Sequence, residues 1–130
     1  MTNLVFIIAL TLYGEAAGEG EIGQRAVASV IWHRAKGEPA QMGQVCKRPM
    51  QFSCWNNGKT PKVGVDALCQ KAWAQCKTIG VEMATDAFVP TIRADHYYST
   101  RLPPPSWAKD MDYVEMIGKH KFYWSKGVSK

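Results

Sequence analysis

Residues 11–24, TLYGEAAGEGEIGQ, decide the fold of this chain. An apolar run over residues 4–12 ends at Gly14, and three further glycines interrupt the chain before a second apolar pattern begins. Glu15 follows Gly14 directly, so a carboxyl group lies at the end of a helix that we expect to be buried. Burial disfavours the charged form of a carboxyl group, and glycine allows close approach of another segment. Glu15 is therefore a candidate general acid, and a merely solvated helix end is the alternative.

The composition is that of one ordinary domain with a basic surface. The chain has 130 residues, 46% of them hydrophobic, and a formal net charge of +5. This charge favours an anionic partner, of which murein with its peptide carboxylates, nucleic acid and anionic lipid are the obvious classes. Nucleic acid is disfavoured because Lys and Arg are scattered, with no basic run of five or more. The five Trp, five Tyr and four Phe also provide flat rings on which sugars can pack.

The apolar run at residues 4–12 is too short to span a membrane, which takes roughly 20 residues. It also lacks the basic start of a secretory signal, because the first Lys or Arg in the chain is Arg25. We therefore predict a buried first helix, no stable membrane insertion and no signal peptide.

The remaining pattern predicts a single α+β domain over residues 1–130, mainly helical with a short β-sheet or hairpin. A second helix is expected over residues 21–36, a loop with at most a short strand over residues 45–64, and a third helix after Asp66. A strand is expected over residues 94–100 and a hairpin over residues 117–124, around Gly118 and Lys119. The predicted buried face of the second helix comprises Ile22, Ala26, Val27, Val30 and Ile31. That of the third comprises Leu68, Cys69, Ala72, Trp73, Cys76, Ile79 and Met83.

Four cysteines leave the redox state open. Cys69 and Cys76 are expected on one helix, where seven residues rise about 10.5 Å, beyond the roughly 7 Å reach of a disulfide. Cys46 and Cys54 flank a loop and form the best candidate pair in an oxidising compartment. Four free thiols packed as small apolar groups are an equal alternative.

Neither a metal nor a cofactor is expected. His33, His96 and His120 lack the tight spacing of a zinc site, and no Cys-x-x-Cys pair is present. No neighbourhood indicates an activated cysteine nucleophile, and no glycine-rich phosphate loop follows a strand.

Several motifs, in order along nearly the whole chain, resemble the spore-cortex-lytic type of cell wall hydrolase family. They are residues 10–19 (LTLYGEAAGE), 23–34 (GQRAVASVIWHR), 45–46 (VC), 51–56 (QFSCWN), 94–98 (ADHYY), 105–108 (PSWA) and 117–123 (IGKHKFY). The resemblance implies a small lysozyme-like domain that degrades bacterial peptidoglycan, as a monomer and without a cofactor. Some members are phage endolysins, and the small size here is similar to theirs. An endolysin made in the host cytoplasm would reach the cell wall only after release.

The same resemblance places the catalytic glutamate at Glu15. It implies cleavage of the β-1,4 bond between N-acetylmuramic acid and N-acetylglucosamine, with a lytic transglycosylase giving 1,6-anhydro products as the first expectation. A hydrolytic muramidase that uses Glu15 with Glu19 is the alternative among enzymes, because ordinary glycosidases need two carboxylates. A peptidoglycan-binding module without catalysis is the alternative outside enzymes.

The resemblance also predicts a glycan groove, lined by Tyr13, Gln51, Phe52, Trp55, Asn56, His96 and Tyr98. Alternation along the predicted strand places His96 and Tyr98 on one face and Tyr97 on the other. We expect the face with His96 and Tyr98 to line the groove and Tyr97 to enter the core. For Phe52 and Trp55, burial in the core is an equal alternative.

Overall fold

The apolar run at the start of the chain forms helix α1 (Thr2–Ala16) in the structure, a computed structural model that describes residues 2–48 and 52–125. Ile8, Ala9 and Leu12 on this helix are fully buried. The helix packs against α4 (Ala67–Ala84) and the other helices. The prediction of a buried first helix is therefore confirmed. Within the described ranges, none of the helices combines the length and the apolarity needed to cross a membrane.

Helix α2 (Gly20–Arg34) follows α1 after one short 3-10 turn (Ala17–Glu19). Four of its five predicted core residues, Ala26, Val27, Val30 and Ile31, are fully buried. The fifth, Ile22, is 76% exposed. It lies in the first turn, before the helix enters the core, so helical spacing alone gave the wrong prediction there.

Helix α4 begins as predicted, because the Asp66 side chain accepts a hydrogen bond from the backbone N–H of Cys69 at 2.8 Å. Ala72, Cys76, Ile79 and Met83 form its buried face, as predicted. Leu68 was expected on that face but is 81% exposed, because it too lies in a first turn that extends past the core.

The region between α2 and α4 contains more helix than the sequence suggested. Helix α3 (Pro39–Lys47) starts with proline at a position where its missing N–H has no cost, and a 3-10 helix covers Ser53–Gly58. The loop prediction was therefore wrong at residues 45–47, and the described part of residues 45–64 contains no strand. Buried Met42, Val45 and Cys46 have the i, i+3, i+4 spacing that would have revealed α3.

The C-terminal half forms a three-stranded antiparallel sheet with the spatial order β1-β3-β2. Its strands are β1 (His96–Ser99), β2 (Asp112–Ile117) and β3 (His120–Trp124), and a 3-10 helix (Ser106–Asp110) precedes β2. The predicted strand and the hairpin at Gly118, whose φ is +57°, are confirmed. The prediction of a mainly helical α+β domain with a short sheet is also confirmed.

All four cysteines are free thiols in the structure, Cys46 and Cys76 buried and Cys54 and Cys69 half-buried. Cys69 and Cys76 share α4, as predicted. The candidate disulfide between Cys46 and Cys54 is not formed.

Candidate active site

A cavity of about 670 Å³ lies where the end of α1 meets strand β1 and the β2–β3 turn. It brings together six residues that the sequence singled out: Tyr13, Glu15, Glu19, Asn56, His96 and Tyr98. It also contains residues that the sequence analysis did not assign to the groove, among them Arg34, Ser53, Tyr97, Arg101, Trp107, Lys119 and His120. The cavity is thus lined by carboxylates, cationic groups and aromatic rings together.

Glu15 is held in the cavity wall by three hydrogen bonds from two distant segments. Its Oε1 accepts from the Tyr97 hydroxyl at 2.5 Å, and its Oε2 accepts from the Cys54 backbone N–H at 3.0 Å and from Ser53 Oγ at 3.3 Å. A backbone N–H can only donate, so Oε2 stays an acceptor. A phenol hydroxyl can both donate and accept, so Oε1 is the oxygen that can also carry a proton.

Gly14 makes this arrangement sterically possible. A Cβ atom at position 14 would lie 2.9 Å from Cys54 Sγ and 3.1 Å from Pro61 Cγ. The first distance is shorter than real Cβ contacts and the second is tighter than most of them, so a larger residue would push the 3-10 helix of Cys54 away from α1. The glycine beside the candidate acid is therefore explained by close backbone approach, as the sequence indicated.

Tyr97 contacts Glu15, although the alternation along the strand predicted that Tyr97 enters the core and not the groove. Its ring packs in the core against Phe52, His120 and Phe122, with centroid distances of 6.3, 5.0 and 5.5 Å. The residue also lines the cavity, where its hydroxyl reaches Glu15. Burial, with the nearby charge of Glu15 adding to it, raises the pKa of Tyr97 well above its ordinary value, so the phenol stays protonated. The strict division of β1 into a groove face and a core face was therefore wrong.

Glu19 is engaged by the hairpin turn rather than pointing freely into the cavity. Its side chain is only 5% exposed, and its Oε1 accepts from the Lys119 backbone N–H at 2.9 Å. Lys119 Nζ lies 3.7 Å from Oε2, and His120 Nδ1 lies 3.7 Å from Oε1. A Cβ atom at Gly118 would displace this carboxylate from its position against the turn, and the φ of +57° also favours glycine there.

His120 is a buried imidazole close to both glutamates. Burial lowers its pKa, although the negative charges of Glu19 and Glu15 act in the opposite direction. Its Nδ1 atom has no hydrogen-bond partner among the described residues. At neutral pH the side chain is therefore an uncharged ring that lies beside Glu19 and packs edge-on against Tyr97.

His96, Tyr98 and Trp107 form the outer wall of the cavity. The His96 ring lies 5.1 Å from the Trp107 ring, and the Tyr98 ring lies 6.1 Å from it. Asp95 orients His96 through a 3.0 Å contact with Nδ1 and also accepts from the N–H and hydroxyl of Ser125. Burial disfavours the Asp95 carboxylate, but the hydrogen bonds from His96 and Ser125 outweigh it and lower the pKa of Asp95.

Two predicted groove residues, Phe52 and Trp55, do not line the cavity in the structure. Phe52 is only 1% exposed and packs in the core, which is the alternative that the sequence left open. Trp55 is half-buried and donates its indole N–H to Thr11 Oγ1 at 2.8 Å, so it fastens the 3-10 helix to α1. Gln51 lies outside the described residues.

Tyr13 and Asn56 both line the cavity. The Tyr13 hydroxyl accepts from the Gly64 N–H at 3.0 Å, and its ring packs edge-on against Trp73. Tyr13 therefore also anchors the segment that leads into α4. In the parts of the chain that the structure describes, no three His, Cys, Asp or Glu side chains are grouped so that they could hold a metal ion.

A cavity lined by aromatic rings and a few placed polar groups, with a carboxyl group held in its wall, suits binding and acid–base chemistry on a polar substrate. The chain belongs to the cell wall hydrolase family, whose model matches residues 18–123. The match begins just after Glu15, so the assignment of that residue depends on the motif and on the geometry.

Curated relatives and solved structures agree with this family. Spore cortex-lytic enzymes of Halalkalibacterium halodurans and Bacillus cereus are each 29% identical to the chain over 125 residues, which is 92% of it. The chain spans only 34% and 44% of the lengths of these two relatives. The catalytic domain of the germination-specific lytic transglycosylase SleB from Bacillus anthracis matches with a TM-score of 0.67 and 26% identity over 95% of both chains. The SleB catalytic domain of Bacillus cereus matches with a TM-score of 0.65 and 26% identity, over 95% of this chain and 91% of that one.

Proposed function

We propose that this protein cleaves the β-1,4 bond between N-acetylmuramic acid and N-acetylglucosamine in peptidoglycan, as a lytic transglycosylase with Glu15 as its acid and base. The observation that carries the proposal is the position of Glu15. Its carboxyl group lies in the wall of a cavity of about 670 Å³ and is hydrogen-bonded by Tyr97 and Cys54. The family match supports action on the cell wall, and the similarity to the catalytic domain of SleB, a lytic transglycosylase, supports this reaction.

In the first step, protonated Glu15 gives its proton to the glycosidic oxygen, and the bond between that oxygen and C1 of the muramic acid breaks. Positive charge develops at C1, and the sugar's own acetamido group stabilises it. General acid catalysis of this kind contributes typically about 10²- to 10⁴-fold to the rate. The Cys54 N–H and the Tyr97 hydroxyl hold the carboxyl group in one orientation throughout.

In the second step, the Glu15 carboxylate removes the proton from the C6 hydroxyl of the same sugar, and O6 forms the new bond to C1. The product is a 1,6-anhydro sugar, no water is consumed, and Glu15 regains its proton. One carboxylate therefore serves the whole cycle, first as acid and then as base.

The surroundings of Glu19 favour this scheme over hydrolysis with two carboxylates. In ordinary glycosidases, the second carboxylate must face the sugar to attack it or to activate a water. The Glu19 carboxylate is 5% exposed and bound by the β2–β3 turn through Lys119. We assign Glu19 a positioning role, in which it holds the turn that carries Lys119 and His120 at the cavity.

The reaction is tested by mass spectrometry of murein digested with the protein. A transglycosylase releases muropeptides lighter than the reducing form by one water, about 18 Da. Reducing muropeptides alone would instead support the hydrolytic muramidase alternative.

A turbidity assay on Gram-negative cells stripped of their outer membrane distinguishes the proposed enzyme from a peptidoglycan-binding module without catalysis. The proposal expects clearing by the wild-type protein and none by Glu15→Gln. A binding module would leave the suspension turbid while still sedimenting with the cell walls.

The endolysin hypothesis is a separate proposal about where the protein acts. We propose that it acts on the wall only after release from the cytoplasm, since the N-terminal apolar run forms a helix that packs in the core. Expression in Escherichia coli tests it: cells should lyse only when the inner membrane is permeabilised.

A further inference from the structure

The outer face of the sheet carries a continuous row of aromatic rings that begins in the cavity and leaves it. Tyr98 on β1 lines the cavity and stacks on Tyr123 of β3, with centroids 5.9 Å apart and planes at 23°. Tyr123 in turn contacts Tyr113 of β2, with centroids 5.5 Å apart. Trp107 packs edge-on against both Tyr98 and Tyr123. The row therefore crosses all three strands.

The far end of this row is open to solvent. Tyr113 does not line the cavity and is 56% exposed, whereas Tyr123 in the middle of the row is only 8% exposed. Met116, further along β2, is 47% exposed. Since neighbouring strands lie about 4.8 Å apart, Tyr113 extends the aromatic surface roughly 10 Å beyond β1.

We propose that Tyr113, supported from below by Tyr123, forms a distal subsite that binds the sugar rings of the glycan strand outside the cavity. The inference rests on the proposed function, because it takes the same polymer as the ligand. The flat face of a tyrosine offers apolar surface to a sugar ring, and its hydroxyl offers a hydrogen bond.

The glycan strand is favoured as the occupant because the surface is continuous with the cavity. A strand cleaved next to Glu15 must leave the cavity as a polymer, and the rings of Tyr98 and Trp107 belong to both the cavity and the row. A second copy of the chain is the competing occupant of an exposed aromatic face, and the experiment below distinguishes the two.

The test compares turnover of long soluble glycan strands with turnover of a tetrasaccharide of two disaccharide repeats. Tyr113→Ala should lower kcat/KM on the long strands roughly fivefold, which is the contribution of one aromatic contact, and leave tetrasaccharide turnover unchanged. Tyr113→Phe keeps the ring and should retain most of the activity on long strands. Leu68→Ala, at an equally open position on α4, is the matched control and should change neither rate.

Each alternative has its own signature. Equal loss on both substrates, or no loss on long strands, overturns the distal subsite while leaving the proposed function intact. Concentration-dependent dimerisation that Tyr113→Ala abolishes, with strand turnover unchanged, overturns it in favour of a second copy as the occupant. Wild-type protein that cleaves neither substrate overturns the proposed function and this inference together.

Discussion

Replacing Glu15 with glutamine tests the catalytic assignment most directly, because the structure allows the substitution with little change in packing. The glutamine amide oxygen can accept the hydrogen bond from the Cys54 N–H, and its NH₂ group can donate to the Tyr97 oxygen. Both hydrogen bonds are kept in the variant, so the free energy of unfolding should change by about 1 kcal/mol or less. For a domain of this size, that is a shift of about 4 °C in Tm at most.

The effect on the reaction should be far larger than the effect on stability. Glutamine cannot donate a proton to the glycosidic oxygen, so we expect a rate loss of about 10²- to 10⁴-fold, equivalent to roughly 3–5 kcal/mol in the barrier. The assay is the initial rate of anhydro-muropeptide release from purified murein. A calorimetric melt and sedimentation with murein show whether the variant still folds and binds.

Retention of near wild-type turnover by Glu15→Gln would refute the assignment and direct attention to Glu19 or Glu21. The companion variant Glu19→Gln should lose much less activity, because its carboxylate is engaged by the Lys119 turn. Equal losses in the two variants would refute the single-carboxylate mechanism and favour hydrolysis by a pair.

Three further predictions concern the cavity residues and two histidines whose pKa values burial lowers. Tyr97→Phe should lower turnover about tenfold, because it removes the hydroxyl that orients Glu15. Tm should change little, because the ring stays in the core. An unchanged rate would contradict this prediction. Tyr98→Ala should weaken murein turnover several-fold and cost about 1 kcal/mol of stability through lost stacking, measured by lysis rates and melts; wild-type turnover would contradict its place in the groove. Burial lowers the pKa values of His33 and His120 in the folded protein. As the pH falls below about 6.5, the unfolded chain therefore binds protons before the folded protein does. Acidification from about pH 7.5 to about pH 5.5 should consequently lower Tm. His120→Gln should reduce that decrease, and an unaltered pH dependence in the variant would contradict the contribution of His120. A Tm that rises on acidification of the wild-type protein would contradict the sign.

Local pattern was sufficient for the elements whose signals lie within one segment. The glycine after the apolar run, the cap at Asp66 and the turn at Gly118 each depend on neighbouring residues only, so the sequence predicted α1, the start of α4 and the hairpin. Helical spacing failed at Ile22 and Leu68 because periodicity gives the face of a helix but not the point at which the core ends.

The candidate acid was identified from the sequence, but its hydrogen-bond partners were not. Tyr97 lies 82 positions from Glu15 and Cys54 lies 39 positions away, so only the packing of β1 and the 3-10 helix against α1 brings them together. The alternation of β1 assigned Tyr97 to the core, and its ring is there. A tyrosine is long enough for its ring to pack in the core while its hydroxyl reaches the cavity, which strand alternation does not predict.

The sequence by itself determined the class of fold, the buried first helix and the glutamate at its end, because apolar periodicity, glycine and a capping carboxylate act over a few residues. Only the tertiary structure decided that Glu19 is engaged by the β2–β3 turn, that Phe52 belongs to the core, and that an aromatic row leads from the cavity to Tyr113. Each of these depends on contacts between segments far apart in the chain, and their formation is settled by how the helices and the sheet pack together.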